Sequence, residues 1–249
     1  MKSHADNRKL TTDNLPKHVA FIMDGNRRWA RKKGLDVFLG HDEGEERIEP
    51  LIDYAIEKGI PYLTFWAFST ENWKRDQKEV EFLLNLFRND LAKRVDSFHQ
   101  KNVRLNVIGN LAMFPKDIQK RTQEWMERTK NNTKITVNVA LSYGGRDEII
   151  RAIKKITSYE LSGEARSRSA RRITNLTSEK FSKLLDTAGQ PDVDLLIRTG
   201  GEQRLSGFLL WQLEYAELYF TETLWPDFTQ EEFEKALIEF QKRQRRFGK

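Results

Sequence analysis

The 249-residue chain contains no cysteine. That removes disulfides, thiolate metal sites and cysteine nucleophiles together. No apolar run approaches the roughly 20 residues that span a bilayer. The first fourteen residues are polar and lack the apolar segment of a secretory signal, so the expected location is the cytoplasm. There is no Asp-Asp pair, no Gly-x-x-x-x-Gly-Lys, no Gly-x-Gly-x-x-Gly and no His-Glu-x-x-His. P-loop nucleotidases, dinucleotide oxidoreductases and zinc hydrolases therefore lose their usual sequence support. Histidine is scarce, with four residues in all; His4, His18 and His99 read as ordinary hydrogen-bonding side chains.

Charge is what the chain has in quantity. Charged residues make up 32% and hydrophobic ones 38%, with a net charge of +6. The excess suits an anionic ligand, nucleic acid or an acidic membrane surface without choosing among them. Apolar, β-branched runs at 19–23, 62–68, 103–108, 135–141 and 193–197 read as strands. Helical patterns at 44–58, 79–100, 115–130, 146–158, 178–187 and 230–246 separate or flank them. That alternation predicts a mostly parallel sheet covered by helices. No repeat or linker divides the chain, so residues 15–249 are expected to form one domain. Residues 1–14 are expected to be a disordered tail, and the basic, non-periodic segment 162–175 a solvated loop.

Strands end in chemistry-bearing turns at several places. After Val19–Met23 come Asp24-Gly25-Asn26-Arg27-Arg28, opening a new helix. A carboxylate, a glycine turn and helix N–H groups at a sheet edge suit a hard cation and phosphate oxygens. The same pattern also fits a plain junction with Asp24 as N-cap. Ser69, Glu71, Asn72 and Arg75 follow the second strand; they suit ligand hydrogen bonding or a surface turn. Arg198, Gly200, Gly201, Arg204 and Ser206 follow the strand at 193–197 and suit a diphosphate clamp, because guanidinium binds phosphate in bidentate fashion. Glu217 lies among apolar residues, where a carboxylate pairs with arginine or binds a metal. The stripe Phe82, Leu83, Leu86, Phe87, Leu91, Val95 and Phe98 fits a core face or the wall of an apolar cleft.

Taken together, the segments 18–30, Gly40-His41, 67–75, 102–109, 142–146, 197–206 and 216–228 resemble, in order, those of the cis-prenyltransferases of the undecaprenyl diphosphate synthase type. The resemblance implies a single α/β domain with a central, mostly parallel β-sheet flanked by helices, an apolar tunnel and assembly as a homodimer. It implies condensation of isopentenyl diphosphate onto an allylic diphosphate such as farnesyl or geranyl diphosphate, with Mg²⁺, to give a cis-polyprenyl diphosphate of the lipid-carrier kind. Carried over residue by residue, Asp24 and Glu217 would hold the metal. Gly25, Asn26, Arg27, Arg28 and Trp29 would face the allylic diphosphate, and Arg198, Arg204 and Ser206 the isopentenyl diphosphate. Asn72 and His41 would lie near the condensing carbons, with Ser69, Thr70, Glu71, Trp73 and Arg75 in the adjoining substrate-binding loop. Arg246-Phe247-Gly248 resembles a C-terminal Arg-x-Gly motif that helps bind isopentenyl diphosphate. Ala67, Leu83, Leu86, Phe87, Val103, Leu105 and Ile135 would wall the tunnel.

Two positions depart from the bacterial pattern. Arg27 replaces a common glycine, and Val37 replaces an arginine, with Arg31, Lys32 and Lys33 near enough to substitute. A non-catalytic partner subunit would lack the metal carboxylate and phosphate arginines, which this chain keeps. No RNA-binding motif is present, so no nucleic-acid partner is expected. A lipid product is compatible with peripheral contact with a membrane.

Overall fold

The computed structural model describes residues 10, 11, 14–158 and 175–243. Six parallel strands form one sheet in the order β3-β4-β2-β1-β5-β6. They are β1 (His18–Ile22), β2 (Tyr62–Ser69), β3 (Val103–Ile108), β4 (Ile135–Tyr143), β5 (Leu195–Arg198) and β6 (Glu217–Phe220). Parallel strands are covered on both faces and so read as apolar runs; every residue of β1 and β5 is buried. Side chains alternate between the faces. Val19 and Phe21 enter a core built with Leu51, Ile52, Phe98 and Phe233, whereas Ala20 and Ile22 enter one built with Tyr143, Phe208 and Leu213. Strand β6 is not among the expected strands. It is four residues long and only half-buried, at the edge of the sheet, and the charge of Glu217 interrupts its apolar pattern.

The helices are α1 (Asn26–Lys32), α2 (Val37–Glu45), α3 (Ile48–Lys58), α4 (Gln77–Gln100), α5 (Lys116–Thr129), α6 (Gly145–Ser158), α7 (Ser178–Ser182) and α8 (Gln230–Lys242). The single helix expected over 44–58 is two. Pro50 has no N–H for the carbonyl of Glu46, and its ring crowds that carbonyl, so one helix cannot run through the segment; the first turn of α3 accommodates it. Helix α2 starts well before residue 44, where the Asp36 carboxylate accepts the Phe38 N–H at 3.0 Å. Its Gly40 lies on α1 so closely that a Cβ there would sit 2.1 Å from the Asn26 carbonyl oxygen. The helix expected over 178–187 stops at Ser182. Most of the expected tail 1–14, the loop 162–174, residues 244–246 of the last helix and the Arg246-Phe247-Gly248 motif lie outside the described residues.

The register fixes which turns share an edge. Ile22 pairs with Arg198, and Phe21 pairs with Phe65, four residues before Ser69. Asp24, Ser69 and Arg198 therefore all stand at the carboxyl edge of the central strands, where open parallel sheets hold their ligands.

Candidate active site

Gly25 makes the turn from β1 into α1 with φ 113°, and a Cβ on it would meet Leu224 Cδ2 at 2.9 Å. It is the N-cap residue, and no side chain caps the helix. Asp24 is therefore not the cap, and its carboxylate is used elsewhere. One oxygen faces Arg28 Nη2 at 3.1 Å and the other Arg198 Nη2 at 2.9 Å. Its backbone carbonyl is held by the Thr199 hydroxyl at 2.7 Å and the Trp225 N–H at 3.1 Å. Arg28 also donates to the Gly200 carbonyl at 2.6 Å. The Arg198 side chain is only 6% exposed and donates to Ser206 Oγ at 2.9 Å, while its buried Nε has no partner among the described residues. One carboxylate thus gathers two guanidinium groups, leaving an excess of positive charge facing the first-turn N–H groups of α1.

The opposite lip is the short 3-10 helix Thr70–Lys74 after β2. The Ser69 N–H donates to Asn72 Oδ1 at 3.0 Å, which fixes that amide and leaves its NH₂ as the free end. Arg75 is held by Glu79 at 2.8 Å, and Glu79 also lies 3.6 Å from Arg27 and 3.7 Å from His41. Glu79 is 7% exposed. It was not picked out in the sequence, although the Arg75–Glu79 spacing of four on a helix start was a usable signal. Burial, together with the charges of Arg75 and Arg27 and against that of Glu79, lowers the pKa of His41 from 6.5 to about 4. The imidazole is neutral.

Between the lips is a cleft of 560 Å³ lined by Asp24, Gly25, Asn26, Arg27, Arg28, His41, Ser69, Glu71, Asn72, Arg75, Arg198 and Ser206. These are sequence-predicted residues from four separate segments brought to one wall. Arg31 joins them, whereas Lys33 lies over the Trp29 ring at 3.9 Å. Five predicted residues stand outside the cleft. Trp29 is buried, its indole N–H bound to Asp227 at 2.7 Å. The Thr70 hydroxyl bonds Glu71, and the Trp73 indole N–H bonds Ser142 at 2.9 Å within an aromatic cluster with Phe68 and Phe114. Arg204 is exposed and paired with Glu202.

Glu217 is the fifth. It pairs with Leu195, which pairs with Val19, so it stands level with the far end of β1. At about 3.3 Å per residue, Asp24 is on the order of 15 Å away. Glu217 is held instead by Arg243 at 2.8 Å. The expected metal pair, Asp24 and Glu217, therefore does not meet within one chain. Among the described residues no group of three or more His, Asp or Glu side chains is arranged to hold a metal ion. Asp24 on an open, cation-lined cleft nonetheless fits a hard ion that takes one carboxylate and completes its shell with substrate oxygens and water.

Met23, Asn26, His41, Ala67 and Leu83 line both the cleft and an apolar slot of 90 Å³ behind it. The slot lies between α2–α3 and α4 over the sheet, with Ile48, Ile52, Phe65, Leu86, Phe87, Phe98, Val137 and Val139 in its walls. Four expected tunnel residues, Ala67, Leu83, Leu86 and Phe87, line it. Val103, Leu105 and Ile135 do not; they are sealed in the core with Phe98 and Trp125.

Residues 22–248 match the family model described as "Putative undecaprenyl diphosphate synthase". An isoprenyl transferase of Aquifex pyrophilus is 48% identical over 235 residues, covering 94% of this chain and 96% of that one. A Pasteurella multocida protein named ditrans,polycis-undecaprenyl-diphosphate synthase ((2E,6E)-farnesyl-diphosphate specific) is 43% identical, covering 96% of this chain and 98% of that one. Among solved structures, lavandulyl diphosphate synthase from Lavandula x intermedia, in complex with dimethylallyl diphosphate, superposes with a TM-score of 0.85 at 35% identity, covering 94% and 99% of the two chains.

Proposed function

The chain belongs to the undecaprenyl diphosphate synthase family of cis-prenyltransferases, and on that premise we propose that it condenses isopentenyl diphosphate onto farnesyl or geranyl diphosphate, with Mg²⁺, to make a cis-polyprenyl diphosphate. The observation that carries the reading is the continuity of the cation-lined cleft with the apolar slot through five shared residues. A ligand with a diphosphate head and a hydrocarbon tail matches both parts at once.

In this reading Arg28, Arg27 and the N–H groups opening α1 bind the allylic diphosphate, and its tail enters the slot past Ala67 and Leu83. Arg198 and Ser206 bind isopentenyl diphosphate. Preorganised donors aimed at the oxygens that gain charge stabilise the departing group more than the bound substrate. Asp24 would hold a divalent cation, which would supply further charge neutralisation. The allylic C–O bond breaks, the new C–C bond forms to the isopentenyl double bond, and a proton leaves the adjacent carbon. Asn72 is too weak a base to take it, so the released diphosphate is the acceptor; Asn72 and the neutral His41 orient the reacting ends.

A homodimer is part of the proposal, supported by the half-buried edge strand β6 and Tyr215, 59% exposed beside it. Action in the cytoplasm at a membrane surface is another part. It is supported by exposed Leu35 and Leu39 next to Arg31, Lys32 and Lys33, a combination suited to anionic lipid. Among the described residues no helix is long and apolar enough to cross a membrane. The test is incorporation of labelled isopentenyl diphosphate with each starter, with and without Mg²⁺. Metal-dependent polyprenyl products lost in Asp24→Ala are expected; no incorporation by folded protein would overturn the reading.

A further inference from the structure

The slot is closed along its flank by ions as well as by apolar contacts such as Phe38 stacked on Phe82. Arg94 of α4 lines the slot, yet its guanidinium bonds both oxygens of Glu45 at 2.6 and 2.9 Å, Glu46 at 2.8 Å and Glu49 at 2.8 Å. Ser97 and Lys101, further along α4, bond Glu49 at 2.6 and 2.7 Å, and Lys101 reaches Asp53 at 2.8 Å. One side of this ladder is α4; the other is the end of α2 and the start of α3. The Arg94 and Glu45 side chains are 16% and 15% exposed, so the ladder is screened less than a surface pair.

Such a cluster is a poor way to gain stability, because desolvation of its charges offsets much of their attraction. It does something that leucines across the same gap would not. It ties two walls together from the rim and leaves the space between them empty and apolar. That space is 90 Å³, below the roughly 300 Å³ at which pockets for small molecules begin. A polyprenyl tail therefore enters only as α4 moves away from α2–α3, and the ladder adds to the apolar contacts that resist the movement.

We propose that the Arg94–Glu45–Glu49 ladder is a tie that limits how far the slot opens, and so helps set the length at which the growing chain stops. The inference rests on the cis-prenyltransferase reading and adds a length-determining ion pair to the bulk of the apolar lining. The experiment compares product lengths, at matched conversion of farnesyl diphosphate and isopentenyl diphosphate, for the wild type, Arg94→Met, Arg94→Glu, Glu45→Arg and the double swap Glu45→Arg/Arg94→Glu. Arg94→Met keeps the aliphatic stem and leaves three carboxylates facing one another. The expected result is a distribution longer by at least one isoprene unit in each single variant, returning toward wild type in the double swap. A purely structural role would lower thermal stability without moving the distribution. Unchanged or shorter products in the single variants, or no recovery in the swap, would overturn the tie. If Arg94→Glu does not fold, Arg94→Met and the swap still decide. Failure of the wild type itself to incorporate isopentenyl diphosphate would instead strike down the reading beneath it.

Discussion

Arg198 reaches from β5 to Asp24 behind β1, Nη2 to Oδ2 at 2.9 Å, with its side chain only 6% exposed. The register that pairs Ile22 with Arg198 makes this contact, so the charge centre of the cleft is built into the sheet itself. The arginine holds the Asp24 carboxylate in place before any ligand arrives. Asp24 in turn keeps a nearly buried cation from standing alone.

Asp24→Asn retains the shape and removes the charge. We expect kcat/KM to fall by roughly a hundredfold or more, the scale of losing one preorganised electrostatic group. Steady-state kinetics across a Mg²⁺ titration measure this, and near-normal activity at saturating Mg²⁺ would contradict the role given to the carboxylate.

Ala67 lines both cleft and slot, so added bulk there narrows the passage between them. Ala67→Leu is expected to shorten the products while the first condensation continues. Chain-length analysis decides, and an unchanged profile would remove Ala67 from the passage.

Glu79 acts through others, holding Arg75 and lying close to Arg27 and His41 at one lip. Glu79→Gln is expected to raise KM for the diphosphate substrates and to lower kcat/KM on the order of tenfold, the effect of misplacing charge-assisted contacts. Glu79→Asp, which keeps the charge, is expected to recover part of the loss. Equal kinetics in all three proteins would make the carboxylate merely structural.

His18 is fully buried, with Nδ1 2.9 Å from the Pro191 carbonyl and Nε2 2.7 Å from the Thr64 hydroxyl. Burial lowers its pKa from 6.5 to about 4, against smaller raising effects from Pro191 and Asp194. The unfolded chain therefore binds more protons between those values. The stabilisation is complete above pH 6.5 and is lost as pH falls toward 4, by roughly 3 kcal/mol. Denaturant unfolding at pH 7 and pH 4.5 is expected to show a larger loss for the wild type than for His18→Gln. An equal loss in both would exclude this histidine as the source.

The cleft was legible in the sequence because parallel strands end where ligands bind, so a charged turn after an apolar run already carries its own address. Asp24, Asn72 and Arg198 were found that way. Trp29 and Trp73 sit in the same turns, but their direction depends on Asp227 and Ser142, which no local pattern reveals. Glu217 is the converse case. Its apolar neighbours marked it as special, but only the pairing of β6 with β5 shows which edge it occupies. The α2–α3 break was written in Pro50, whereas the close α1–α2 crossing depends on Gly40 meeting a backbone far from it in sequence.

The five residues common to cleft and slot also bear on processivity. In the proposed reaction only the head of the chain must change partners between rounds, because the tail already lies beyond Met23, Ala67 and Leu83. Each added unit brings five more carbons out of water, at about 0.8 kcal/mol per methylene equivalent. Dissociation of the intermediate therefore slows with every round until the slot is filled. Past that point new carbons gain nothing by staying, and release overtakes growth at a length set by how far the slot can open.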